Sequence, residues 1–209
     1  MSNKTRDRSR TEQKILDAVG RIVKEKDFDA LGINAVAEEA GVGKVLIYRY
    51  FGSLDGLVRE WALRSHYWMS LQSDDMTDIA DLPFPEVKGA ADEIFRNQME
   101  TMMEDPLMRK IIRWHLSSGH PVSKEIMAQV EERGKELMES FKSRCATDLD
   151  LDVLISLLIG GVYYLTVLSD QAEVFNGIPL NNEEGRSRLK DGISQFIDLV
   201  FRDVRDPEV

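Results

Sequence analysis

INAVAEEAGVGKVLIYRYF, residues 33–51, is two short apolar-periodic runs separated by a glycine-rich break. Ile33, Val36, Ala37 and Ala40 recur at helical spacing on one face, and Ile47 and Phe51 resume that face beyond Gly41-Val42-Gly43. The break is too short for a linker and reads as a turn. Two helices that meet at a wide angle across such a turn need a small residue where their backbones approach and one free to take positive φ. Ala37 and Gly41 meet those needs. Val42 is placed to plug the apolar angle, and Gly43 to cap a second helix running from Lys44 to about Phe51. The outward positions of that helix are Lys44, Val45, Leu46, Tyr48, Arg49 and Tyr50. Their mixture of positive charge, aromatic hydroxyl and apolar groups suits a major groove, so the stretch reads as a DNA-reading element. Spacing alone also admits a plain surface helical hairpin.

A wider pattern narrows the choice. Thr11 to Leu16 with Asp17-Ala18, then Phe28, Val36-Ala37, Ala40-Gly41-Val42, Ile47-Tyr48, Phe51 and Ser53-Leu54-Asp55-Gly56-Leu57 resemble the N-terminal domain of the tetracycline-repressor (TetR) family over about residues 10–60. The resemblance implies an all-α fold: an N-terminal three-helix helix-turn-helix domain for DNA and a C-terminal helical bundle for ligand binding and dimerisation. It implies a homodimer, most often a repressor released from its operator by a small molecule. The chain departs from the family pattern at Gly43 (usually Ser or Thr), Val45 (usually Gly), Leu46 (usually Thr or Ser) and Leu54 (usually Lys). Two phosphate contacts expected of the family, at positions 46 and 54, are therefore missing, which bears on affinity more than on binding mode.

The chain is acidic overall, with net charge −10, but unevenly. Residues 1–64 hold twelve Lys/Arg against ten Asp/Glu, a balance of +2, and residues 65–209 hold fifteen against twenty-seven, a balance of −12. A basic head on an acidic body is compatible with DNA binding where the whole-chain balance is not. Residues 1–10 carry Lys4, Arg6, Arg8 and Arg10 with no apolar residue after Met1, so a disordered basic arm is expected there, either meeting DNA through Arg6, Arg8 and Arg10 or remaining a solvated tail with no role. Thr11 is expected to cap the first helix, whose inward stripe is Ile15, Val19, Ile22 and Val23. Phe28 reads as a core plug against the recognition helix, and Asp27 stands at a turn where the family commonly has glycine. The reading domain is thus 11–56, and a fourth helix from Ser53 to about Gln72 connects it to a ligand-binding and dimerisation domain, 57–209.

Ser73 to Pro85, with two prolines, is expected to be a loop. Amphipathic helices follow over Val87–Met102, Leu107–His115 and a run of roughly 24 residues from Pro121. Residues 153–168 are apolar all round, and Asp150, Asp152 and Asp170 flank them. Sixteen residues fall short of the ~20 that span a bilayer, so no membrane is expected. Such a helix must instead be buried on all sides, either by its own domain on one face and a partner subunit on the other or as a fully internal central helix. With a last helix over 183–204 it would form a four-helix dimer interface, with Gly160 and Gly161 permitting close approach. Residues 171–182 read as a loop.

The sequence offers little to an enzyme. His66, His115 and His120 fit no metal spacing, Cys145 has no histidine nearby, and GxGxxG, P-loop and GxSxG motifs are absent. No catalytic residue, metal or cofactor is expected. One cysteine and a polar N-terminus suggest a reducing cytoplasm. In the family the effector lies among the central helices of the C-terminal domain. Here that volume could be lined by Trp61, Trp68, Phe95, Met99, Met102, Trp114, His115, Tyr163 and Tyr164, which suits a largely apolar effector, although aromatic and Met stripes also form plain core. The competing reading is a helical ligand-binding or adaptor dimer with weak or no specific DNA binding.

Overall fold

A computed structural model describes residues 3–64 and 79–207, with side chains from residue 7 onward. The fold is all-α apart from one short hairpin: α1 (Asn3–Lys26), a 3-10 turn (Phe28–Ala30), α2 (Ile33–Ala40), α3 (Lys44–Phe51), α4 (Leu54–Arg64), a second 3-10 turn (Ile79–Asp81), α5 (Phe84–Glu104), α6 (Pro106–Ser118), α7 (Pro121–Ser143), α8 (Leu151–Leu168), strands β1 (Val174–Phe175) and β2 (Ile178–Pro179), and α9 (Glu183–Phe201). The chain divides into two compact units, residues 1–72 with 113–128 and residues 73–112 with 129–209.

In the first unit, α1 packs on α2 and α4, and α3 packs on α2 and α4. Ile15, Val19, Val23, Val36, Ile47 and Leu57 are fully buried, so the stripe read from the sequence is the core. The arm expected to be disordered is instead the start of α1, which begins at Asn3. Residues 3–10 are rich in polar residues that tolerate a helix, and Arg8 pairs with Glu12 one turn on at 2.7 Å. Thr11 therefore caps nothing; it lies inside the helix, its hydroxyl donating to the Asp7 carbonyl at 2.8 Å. Ser53 is the cap of α4, its Oγ accepting from Gly56 N–H at 3.0 Å. The fourth helix is described to Arg64, and its expected continuation through Ser65, Trp68 and Gln72 lies outside the described residues. A Cβ at Gly56 would stand 2.1 Å from the Phe51 carbonyl oxygen, so only glycine lets α4 start so close behind α3.

Phe28 is buried, as expected, but the rings it meets are not those of α3. Its ring stacks on Trp114 at 4.2 Å and meets Trp61 edge-on at 6.0 Å. Residues 113–128 join this unit through further contacts. Arg59 donates twice to Glu125, at 2.5 and 2.9 Å, which holds that carboxyl below its usual range. His120 Nε2 lies 3.7 Å from Asp55, and its ring lies 5.3 Å from that of Trp114.

In the second unit, α5 packs on α8 and α9. Val87, Ala91, Phe95, Met99 and Met102 form the buried stripe of α5. Phe84 and Pro85, expected in the loop, begin that helix, because proline is well suited to a first turn. Arg109 donates to the last carbonyls of α5, at Met102 (2.8 Å) and Met103 (2.7 Å), and to Asp170 at 2.8 Å. Asp150 and Asn182 cap α8 and α9 by accepting from the backbone of Val153 and Gly185. The region read as a loop, 171–182, contains a tight hairpin whose turn residues Asn176 and Gly177 both take positive φ. Among the described residues α8 is the one helix whose length and apolarity alone would admit a membrane span, yet only 22 % of it is buried.

Asp27 is strained. Its φ of 69° and ψ of 176° lie outside the left-handed helical well, in a corner essentially reserved for glycine and worth ~1–3 kcal/mol of strain. Its ion pair with Arg113, at 3.8 Å and partly exposed, recovers little. Asp27→Gly should therefore raise stability by about 1 kcal/mol in urea denaturation; a lower midpoint would show that the carboxylate's contacts outweigh the strain.

Candidate nucleic-acid interface

The geometry of the helix pair begins with the end of α2. Gly41 is left-handed, φ 61° and ψ 42°. Its N–H reaches the Glu38 carbonyl and the N–H of Val42 reaches that of Ala37, both at 3.0 Å. This paired closure takes up the carbonyls of Ala37 and Glu38 in the last turn of α2 and reverses the chain. Gly43 then precedes α3 in extended backbone, with no side-chain cap.

α3 buries Ile47 completely and turns the opposite face outward. Lys44, Val45, Tyr48 and Arg49 occupy that face, with Val45 77 % and Tyr48 54 % exposed. Their spacing, 44 with 48 and 45 with 49, makes two adjacent rows along one surface. A row of cation and phenol beside a row of methyls and cation can meet both phosphate and base edge. Leu46 and Tyr50, read as outward, are half-buried at the margins of this face, and so is Leu54 at the start of α4.

The basic residues of α1 lie nearby. Arg8 and Arg10 are exposed, and the side chain of Arg6 lies outside the described ones. The Arg8 guanidinium stands 5.2 Å from the centre of the Tyr50 ring. One cation was not picked out from the sequence: Lys14, whose Nζ would come within 3.8 Å of a Cβ at Gly41 and so sits over the turn. The signal was available, since Lys14 follows Arg10 by one helical turn. No ion pair holds Lys14 among the described residues.

The residues expected around an effector fall in different places. In the first unit Trp61 and Trp114 sandwich Phe28, and His115 has a buried Nδ1 with no hydrogen-bond partner. In the second unit Met102 is fully buried and Phe95 packs on Phe141. The Tyr163 hydroxyl is within 3.4 Å of Gln98 Nε2, and burial pushes its phenol up. Tyr164 is exposed and meets Phe175 edge-on. Trp68 lies outside the described residues. Met99 lines an almost wholly apolar groove of about 330 Å³ with Met103, Leu157, Gly161, Leu189 and Phe196. Cys145 is half-buried, and burial raises its thiol, which disfavours the reactive thiolate.

Residues 15–61 match the sequence model of the family described as bacterial regulatory proteins, tetR family. No curated protein matches in sequence. Solved structures are similar along most of the chain. A TetR transcription regulator from Haloarcula marismortui aligns with a TM-score of 0.66 at 15 % identity, covering 94 % of this chain and all of that one (100 %). The transcriptional regulator FadR from Bacillus subtilis, in complex with stearoyl-CoA, aligns at 0.62 and 12 % identity over 88 % of this chain and 96 % of that one. A TetR-family transcriptional regulator from Haemophilus influenzae aligns at 0.58 and 18 % identity over 93 % and 98 %. At these identities the likeness speaks to the fold. The match to the tetR family of bacterial regulatory proteins thus brackets the glycine-turned helix pair of residues 33–51, within an all-helical fold similar to that of solved tetR-family regulators.

Proposed function

We propose that the chain is a dimeric, sequence-specific DNA-binding transcriptional regulator, a repressor released from a palindromic operator by a small, largely apolar effector. Residues 11–56 form the reading domain and 57–209 the ligand-binding and dimerisation domain. The observation that carries the reading is the outward face of α3, where Lys44, Val45, Tyr48 and Arg49 stand together on a helix held by the Gly41 turn. Leu46 and Tyr50 flank that contact, and Arg6, Arg8 and Arg10 of α1 add phosphate contacts. Selection from random duplex DNA should enrich a palindrome, and Lys44→Ala or Tyr48→Phe should weaken binding to the winner by ~1–3 kcal/mol. Failure of the folded protein to enrich any sequence at low salt would favour the adaptor reading, which the leucines at 46 and 54 motivate.

Dimerisation rests on α8 and α9. Val153, Leu157, Gly160 and Tyr164 follow one another by four, three and four residues, and the three large side chains among them are more than half exposed. On α9, Leu189, Gly192, Phe196 and Leu199 are spaced by three, four and three. A Cβ at Gly160, Gly161 or Gly192 would meet no atom within 4 Å, so a second backbone has room to approach. Two such seams from each of two copies make a four-helix interface, and the apolar groove along Met99 and Leu157 would close beneath it. Because a two-fold interface contains each residue twice, Leu157→Glu should lose ~3 kcal/mol of apolar burial and raise the dimer dissociation constant by about a hundredfold in sedimentation equilibrium. An unchanged dimer would rule out this face.

The effector is the third part of the reading. The second unit has Met99, Met102, Met103 and Met108 in its core, side chains that repack around irregular apolar ligands. One similar structure holds stearoyl-CoA, so long-chain acyl compounds are the class to try first. A ligand at about a hundred times its Kd should add ~2.7 kcal/mol to stability and raise Tm accordingly. No shift with any apolar compound would count against an apolar effector. Release would follow from population shift, the ligand favouring dimers whose recognition helices are wrongly spaced for DNA.

A further inference from the structure

Tyr50 is the residue of the α3 surface that the DNA-reading face does not absorb. It is half-buried, its ring edge-on to Phe51 at 6.3 Å, and its open face is covered by a guanidinium from another helix. That guanidinium belongs to Arg8, which lies 5.2 Å above the ring centre and whose Nε donates to Glu12 Oε1 at 2.7 Å. Glu12 is fixed better than its partner, with a side chain 15 % exposed against 60 % for Arg8. An arginine has five N–H donors in a rigid plane. Here Nε is committed to Glu12 and the flat face to Tyr50, and no other bond to Arg8 occurs among the described residues. The terminal Nη groups are left over Tyr50, at the margin of α3.

Resting on the reading of this chain as a DNA-binding protein, we propose that Tyr50 and Glu12 are positioning residues that hold Arg8 ready for a DNA phosphate next to the groove occupied by α3. Tyr50 thereby acts through Arg8 and not as a reader of bases. An exposed arginine loses rotamer freedom when it grips a phosphate, and a side chain already stacked and hydrogen-bonded has less to lose. A cation placed over an aromatic face within about 6 Å is attracted to the ring, and tyrosine is one of the rings that suits it. The paired carboxylate weakens the net charge of Arg8 but leaves its two-pronged end free. The contact supplies affinity without sequence preference, because a phosphate has the same chemistry at every step.

The experiment is the salt dependence of binding to random-sequence duplex DNA between about 50 and 200 mM salt, for the full chain. Arg8→Ala should lower the slope of log K against log salt by about 0.9 for each protomer bound, and weaken binding roughly fivefold per protomer at 0.15 M. Arg8→Lys should keep the slope while losing part of the affinity. Tyr50→Phe, which retains the ring, should behave as wild type, whereas Tyr50→Leu should weaken binding with sequence preference unchanged. Far-UV circular dichroism and Tm of each variant show whether α1 remains folded. If Arg8→Ala binds with unchanged slope and affinity, or if Tyr50→Phe fails as Tyr50→Leu does, the positioning proposal falls while DNA binding stands. A wild-type chain that retains no duplex even at low salt overturns both.

Discussion

One backbone conformation organises the reading head. Gly41 takes φ 61°, where a residue with a Cβ is disfavoured, and the two bonds it allows from residues 41 and 42 back to Glu38 and Ala37 close the end of α2. The direction of α3 follows from that reversal, with Ile47 turned inward and its opposite face turned to solvent. The second close passage, at Gly56 behind Phe51, fixes where α4 begins. Two glycines thus determine which side chains of an eight-residue helix are presented. The side chains themselves determine only what they can meet.

α8 sets a different kind of constraint. Its sequence has hardly a polar position between Val153 and Leu168, yet one chain covers only part of it: Ile155, Val162 and Thr166 are buried while Leu157 and Tyr164 stand out. An apolar stripe of that size left to water is unfavourable, and its coiled-coil-like spacing with glycines at the centre matches another helix better than it matches lipid. The same three acids that bracket the segment, at 150, 152 and 170, have local work: Asp150 caps the helix, Asp152 pairs with Lys142 at 2.7 Å and Asp170 pairs with Arg109.

Much of this was legible in the sequence because period and punctuation agreed. The stripes Ile15–Val23 and Val87–Met102, the turn at Gly41 and the starts of α7 and α9 all combine an apolar repeat with a capping or breaking residue, and each stands as read. The errors share a cause. Residues 3–10 have no apolar repeat, so periodicity could not show that α1 extends through them. Thr11 looked like a cap because capping chemistry is local, but a threonine inside a helix can bond back to the preceding turn, as this one does. Phe28 was recognisably a plug, but its true neighbours, Trp61 and Trp114, are 33 and 86 positions away, and no local rule supplies such partners. The sites are less legible than the fold for the same reason. Tyr50 is outward by helical phase and half-covered by a side chain from another helix, and only the fold brings the two together.

α2 and α3, at eight residues each, are too short to be stable helices alone. Their order comes from buried Val36, Ala37 and Ile47 against α1 and α4, so this unit is held by a core that none of the exposed α3 residues enters. That separation lets the reading face change without cost to the fold. It also explains how leucine can stand at 46 and 54. Both are half-buried at the rim, where a branched apolar side chain adds packing to short helices that need it. The electrostatic contribution removed there has somewhere else to come from, because α1 carries Arg8 beside α3 and Lys14 over the Gly41 turn. Since phosphates line the whole duplex, moving a cation from one helix to its neighbour would change which phosphate a DNA-bound chain holds, while the outward face of α3 stays the same.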